Sequence, residues 1–220
     1  MASFFKLLLD TLAPSGVSLV INSGAQYTTS REVNLAIGTN DSDTTGYQMK
    51  IWGIDGVETE SDASWETYAA SKSVTLADGD GLKTVYVKIR DDVYNESSVV
   101  SASITLNTAV PAVTITGPDV SRISKTSPKN VCSFSFVCDV DFVEYKVKVV
   151  PASSSLQDAG VAIGTSGGST NMSGTAGNYK ANTAIQCKIY GSDLETASSG
   201  DGEKIIKVFV KNSAGTWSVA

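Results

Sequence analysis

Histidine occurs nowhere in the 220 residues. Its absence removes the commonest general base and the commonest metal ligand together. The many serines therefore have no histidine partner, and no local pattern supports a Ser-Lys pair. Charge is sparse as well, at 18% of residues against the usual ~25%. The formal balance is -6 with no basic stripe, so nucleic acid is not an expected partner. A long hydrophobic run is also missing. The apolar stretch holding Phe4, Phe5, Leu7, Leu8 and Leu9 is too short to span a bilayer. It makes a poor signal peptide, because Lys6 falls inside it and no Ala-x-Ala site follows. No stretch holds a helical period over three turns, and residues 62–71 promise one short helical turn at most.

Only three cysteines are present, Cys132, Cys138 and Cys187. An odd, unpatterned number makes a poor disulfide framework. Cys132 and Cys138 share one face of one predicted strand, roughly 20 Å apart at ~3.3 Å per residue, too far to bond. Cys187 is free to approach either one. Three buried thiols is the preferred reading, and it points to assembly in a reducing cytoplasm.

What the chain does have is 41% apolar residues, arranged with period two. Val85, Val87 and Ile89 alternate with Tyr86, Lys88 and Arg90. Val33, Leu35 and Ile37 alternate in the same way, as do Tyr145, Val147 and Val149, and Ile185, Cys187 and Ile189. Phe134 and Phe136 share a face with Cys132 and Cys138. Short alternating strands separated by Gly, Asn, Asp and Ser clusters predict an all-β sandwich. Trp52 is expected to fill its core, and Trp65 to pack under a loop or over the sandwich end.

Two phrases are written twice. Gly79-Asp80-Gly81-Leu82-Lys83 and its strand recur as Gly200-Asp201-Gly202-Glu203-Lys204 and the strand Ile205–Lys211. Leu7-Leu8-Leu9-Asp10-Thr11-Leu12-Ala13-Pro14 matches Ile104-Thr105-Leu106-Asn107-Thr108-Ala109-Val110-Pro111. Repetition on this scale means tandem domains. The division is an N-terminal anchoring segment or strand over residues 1–13, one domain over 14–108 and a second over 109–220. Pro14 and Pro111 lack an amide hydrogen, so each is placed to end one strand pairing and begin the next. The domains differ in one respect. Residues 53–78 separate the Tyr47 strand from the first Gly-Asp-Gly turn, whereas residues 151–199 separate the corresponding elements of the second domain. An excess of that length is extra strands or a functional loop.

Several residue groups carry potential chemistry. Asp41, Asp43, Asp91, Asp92, Asn95 and Glu96 offer hard oxygen ligands for calcium. They lack EF-hand spacing, and Asp and Asn also favour turns by bonding their own backbone. Tyr27, Trp52, Trp65, Tyr68 and Tyr94 are candidates for a sugar platform, against the simpler use of such rings in packing. Gly79-Asp80-Gly81 is a hairpin turn in which glycine supplies positive φ, not a phosphate loop. No cofactor, metal or catalytic residue is assigned. The candidate partner-binding residues are Phe4, Phe5, Leu7, Leu8 and Leu9. The leucines lie in, and the phenylalanines just before, a phrase that closes a domain, yet the domain it would close is not the one that follows it. Such a strand either pairs with its own domain's edge, frays, or adds to the sheet of a partner.

The runs Ser18-Leu19-Val20-Ile21-Asn22-Ser23-Gly24-Ala25-Gln26-Tyr27-Thr28, Ser64-Trp65-Glu66-Thr67-Tyr68, Gly79–Lys88 and Asp91-Asp92-Val93-Tyr94-Asn95-Glu96-Ser97 resemble bacterial Ig-like repeat domains. The second domain keeps the Gly-Asp-Gly-x-Lys turn, its strand and Ala214-Gly215-Thr216-Trp217-Ser218, and diverges in its middle. Such domains occur in bacterial surface proteins and in structural proteins of tailed bacteriophages. The resemblance implies two tandem Ig-like β-sandwiches, the second with an expanded middle, and no catalysis. Read as complete, without signal, anchor or sorting sequence, the chain is expected to be a decoration or structural protein of a phage virion. It would be assembled in the host cytoplasm and bound to other capsid or tail proteins. The alternative implied is a tail or baseplate adhesin for a host cell-surface glycan.

Overall fold

A computed structural model describes residues 5–175 and 177–220. The chain divides into two compact units between Thr108 and Ala109. Unit one contains β1 (Ser18–Ile21), β2 (Tyr27–Thr28), β3 (Glu32–Gly38), β4 (Gln48–Trp52), β5 (Glu66–Thr67), β6 (Ser71–Thr75), β7 (Gly81–Arg90) and β8 (Val100–Leu106). One sheet runs β1-β3-β6 and the other β2-β8-β7-β4-β5. Every neighbouring pair is antiparallel except β2 with β8. Strands three and six beside the first, with seven, eight and four in the opposite sheet, give the Ig-like order.

Alternation decides which side chains meet between the sheets. Val33, Leu35 and Ile37 of β3 share one core with Met49 and Ile51 of β4 and with Val85, Val87 and Ile89 of β7. Ile104 and Leu106 close it from β8. Trp52 is buried, but parity sets it with Gln48 and Lys50 on the other face of β4. There its ring stacks on Tyr86, its cross-strand partner, at 5.6 Å and 9°. Trp52 thus covers the outer face of the sheet and does not fill the core.

Unit two contains β9 (Val113–Thr116), β10 (Val131–Cys138), β11 (Glu144–Val149), β12 (Val161–Ala162), β13 (Ser173–Gly174), β14 (Ile185–Tyr190), α1 (Gly191–Ala197) and β15 (Ile206–Lys211). One sheet is β14-β10-β9; the other joins β12, β13 and β15 to β11. Phe134, Phe136 and Cys138 of β10 pack against Val147 of β11, Ile189 of β14 and Val208 and Val210 of β15. An aromatic nest anchors one end. Phe142 and Tyr179 stack at 4.8 Å, and Tyr145 meets Tyr179 edge-on at 5.3 Å. Burial in that nest pushes the Tyr145 hydroxyl up to about 12. All three thiols are free and buried, as the spacing predicts. The chain is therefore all-β in character, two tandem Ig-like sandwiches with an enlarged middle in the second.

Residues 62–71 hold no helix, within the one short turn that the sequence allows; β5 lies there and β6 begins at its end. The α-helix lies at Gly191–Ala197, where seven residues make two turns, too few for a 3.6-residue period to be legible. Asp193 explains why that helix stays in place. Its buried carboxylate accepts from the backbone N–H of Gly167 at 2.6 Å and of Ser169 at 2.9 Å, so it fastens the glycine-rich loop to α1.

Candidate functional site

The repeated Gly-Asp-Gly-x-Lys turn is an identical device in both units. Gly79 and Gly81 have φ of 78° and 125°, and Gly200 and Gly202 have 81° and 126°, values that favour glycine. The lysine folds back to cap the turn. Lys83 Nζ donates to the Asp78 carbonyl at 2.7 Å, and Lys204 Nζ to the Ser199 carbonyl at 3.2 Å. In unit one Asp80 then receives both the N–H and the hydroxyl of Thr108, at 3.0 and 2.9 Å. That contact fastens the end of β8.

The main hydrogen bonds of the loop after the same strand are repeated, although its sequence is not. Asp91 and Asn95 exchange N–H···O bonds with each other's backbone or side chain, as Asn212 and Thr216 do. Ser97 N–H donates to Ile89 O and Ser97 Oγ accepts from Ile89 N–H. Ser218 makes the same pair with Val210. Asp91 is thus a buried staple that bonds the backbone of its own turn, as Asp favours. It accepts from Val93 N–H, Asn95 N–H and Asn95 Nδ2 at 2.8–3.0 Å.

The calcium candidates are dispersed into such roles. Asp41 accepts from Ser15 Oγ at 3.0 Å and Tyr47 OH at 3.2 Å. Desolvation pushes its carboxyl up, but the hydrogen bonds from Ser15, Thr39 and Tyr47 outweigh this and leave it below the usual range. Burial, then the Asp41 carboxylate, raises the Tyr47 hydroxyl to about 12. Asp43 caps its own turn through Thr45 N–H at 2.9 Å. Glu96 pairs with Lys88 at 2.6 Å. Among the described residues, no group of three or more acidic, Cys or His side chains is arranged to hold a metal ion.

Of the five candidate sugar-platform rings, Trp65 and Tyr94 come together. The Arg90 guanidinium lies 4.3 Å from each ring centroid, with Lys50 over Trp65 at 5.5 Å. Arg90 is held in place by its Nε bond to Gln48 Oε1 at 2.7 Å. Trp65 is half-buried and Tyr94 is 65% exposed at a φ of 69°. Unit two has a related cluster, Trp217 between Lys146 at 4.4 Å and Lys211 at 5.7 Å. Tyr68 is half-buried and donates to Ile37 O at 2.9 Å. Tyr27 stands alone at 40% exposure.

Among the partner-binding candidates, Phe4 lies outside the described residues. Phe5, Leu7, Leu8 and Leu9 are all more than four-fifths exposed, and Leu12 is 80% exposed. The segment forms no strand before β1. It is tethered at its end: Asn95 Nδ2 donates to the Asp10 carbonyl at 3.4 Å, and Pro14 is buried. Five large apolar side chains in one exposed stretch are unusual on a soluble surface, where such patches mark interaction sites.

No protein-family model matches the sequence, and no curated protein matches it. Solved structures with a similar fold include the fibronectin(III)-like modules of CbhA from Clostridium thermocellum, at 12% identity and a TM-score of 0.44, covering 91% of this chain and 89% of that one. The D00-D0 domain of intimin gives 11% identity and a TM-score of 0.33, covering 92% and 98%. The BSP domain of a biofilm-associated protein gives 12% and 0.27, with 92% of this chain matched to 27% of that one. All three TM-scores fall below 0.5, and the Ig-like assignment rests on the strand order of the units themselves.

Proposed function

We propose that this protein is a non-enzymatic structural or decoration component of a tailed-bacteriophage virion, attached to capsid or tail. Residues 5–12 are the attachment strand, and the two Ig-like units are the displayed bodies. The observation that carries the reading is the exposed apolar run Phe5, Leu7, Leu8, Leu9 and Leu12, which neither unit's core takes in. Strand addition suits it, because backbone hydrogen bonds supply affinity and alternate side chains supply specificity. The free thiols agree with assembly in a host cytoplasm, and the acidic balance with partners other than nucleic acid. Among the described residues no helix is long and apolar enough to cross a membrane. Mass spectrometry of purified particles from the genome that encodes the chain is expected to find its peptides at stoichiometric abundance. Their absence from clean particles would rule out the virion role.

A second reading is favoured by the Trp65–Arg90–Tyr94 stack. As a tail or baseplate adhesin, the protein would hold a host cell-surface glycan against these rings. This reading expects the protein to be retained on host cell-wall polysaccharide, and W65A with Y94A to abolish retention while the fold is kept. Equal retention of the double variant would exclude the cluster.

A further inference from the structure

From Ile206 to Phe209 strand β15 is bonded on one side only; at its end Val210 and Lys211 also meet Ser218 and Trp217. In unit one the matching strand β7 pairs with β4 on one side and with β8 on the other, from Gly81↔Leu106 to Val87↔Val100. Among the described residues β15 pairs with β11 alone. The consequence is visible at one side chain: Val85 is fully buried, whereas its counterpart Ile206 is half-exposed. Beside the open edge lies a cavity of 740 Å³, bordered by residues 201–204 of the Gly-Asp-Gly turn and floored by Val120, Ile123, Cys132, Ile189, Leu194 and Ile206. It lies where β8 places its inward side chains in unit one.

The chain carries a second copy of the sequence that fills this place. Leu7 to Pro14 matches Ile104 to Pro111, the end of β8 and its connector. Carried back two residues, the match sets Phe5, Leu7 and Leu9 at the places of Ala102, Ile104 and Leu106. In β8 these three face the core, while Ser101 and Ser103 face out. The inward set of the segment is therefore wholly apolar, and Lys6 falls on an outward position. Even the fastening contact is reproduced. Asp80 holds Thr108; the match sets Thr11 opposite Asp201, an exposed residue at the cavity rim.

Resting on the reading of residues 5–12 as an attachment strand, we infer that its partner is unit two of a second copy of this chain. The segment adds antiparallel to β15, with Leu7 opposite Lys204 and Phe5 opposite Ile206, and its inward side chains enter the cavity. The segment runs into β1 of its own unit one just as β8 runs into β9 of the unit that follows. The segment thus holds, ahead of unit one, the place that β8 holds ahead of unit two, and unit two of a second copy offers the edge and the cavity that it matches. Each copy both donates and accepts, so the contact is head-to-tail and propagates.

The test is sedimentation of the full chain over a range of concentrations, beside the full-length double variant Leu7→Asp, Leu9→Asp. Both substituted residues are exposed in the folded protein, so the variant retains its fold. The wild type is expected to form a concentration-dependent series of oligomers and the variant to remain monomeric. A synthetic peptide of residues 1–14 added to the variant is expected to slow alkylation of Cys132 at least tenfold, and a peptide carrying the same two substitutions to leave the rate unchanged. T11A and D201A should each weaken the series several-fold. A wild type that is monomeric throughout, a variant that still associates, or a Cys132 indifferent to the peptide overturns the inference. Closure by another strand of the same chain gives the first and third of these results. The virion reading is read out separately: particle attachment by a monomeric chain overturns the self-pairing and keeps that reading. Oligomers that ignore particles do the reverse.

Discussion

At the scale of single residues, the most informative side chains are the ones that staple loops. Asp91 satisfies three donors from a buried position. Replacing it with alanine leaves those donors unpaired, which costs about 1–3 kcal/mol, so D91A should lower the melting temperature of unit one by several degrees. Asn212 accepts one backbone N–H in the corresponding place, from Thr216, and donates its Nδ2 to Ala109 O; N212A therefore strands fewer partners than D91A and should cost less. Equal losses in calorimetry would contradict that count. Asp193 yields a pH dependence. Desolvation raises its carboxyl, but the bonds from Ser169, Gly167 and Ser166 outweigh it and hold it below 3.8. A carboxyl lowered on folding adds stability that is complete above its unfolded value and is lost as pH falls through the folded one. Unit two should therefore lose stability as pH drops below about 4, and D193N should flatten that acid limb; an unchanged limb would refute the assignment. Burial also pushes the Cys187 thiol up to about 12. Native protein should accordingly react with alkylating reagents at Cys187 far more slowly than unfolded protein does, by mass-resolved labelling.

At the scale of elements, strands were legible wherever alternation was clean. Val85, Val87 and Ile89 point inward as their spacing requires, because a half-buried strand leaves no other choice of face. Trp52 departs from its expected core position because parity sets the face of a strand residue: its even position places it with Lys50, outside. Helix α1 escaped because two turns hold too little period. The staples escaped for a different reason. Asp91 and Asn212 bond through loop geometry, and the only signal in the sequence was the paired spacing of Asp91 to Ser97 and Asn212 to Ser218. The turns make a direct prediction. Gly202→Ala forces a Cβ into a φ of 126° and should destabilise unit two by about 1–2 kcal/mol, in urea titrations. Leu35→Ala empties a fully buried core site and should cost unit one about 2–5 kcal/mol, while Leu8→Ala at an exposed site should stay within about 0.5 kcal/mol.

At the scale of the whole molecule, the large apolar side chains of the two sandwiches gather in their cores, and those of residues 5–12 stay exposed. The repeated closing phrase marked that segment in the sequence. Its exposure and the half-bonded state of β15 were not readable there, since pairing partners are a property of the sheet and not of either strand. On the proposed function, residues 5–12 attach this protein to its assembly. The direct measurement is co-sedimentation of phage particles with the wild-type chain and with a chain lacking residues 1–10, each checked for two folded units by calorimetry. The truncated chain is expected to keep both unfolding transitions and no longer to sediment with particles. Undiminished binding by the truncated chain would contradict it.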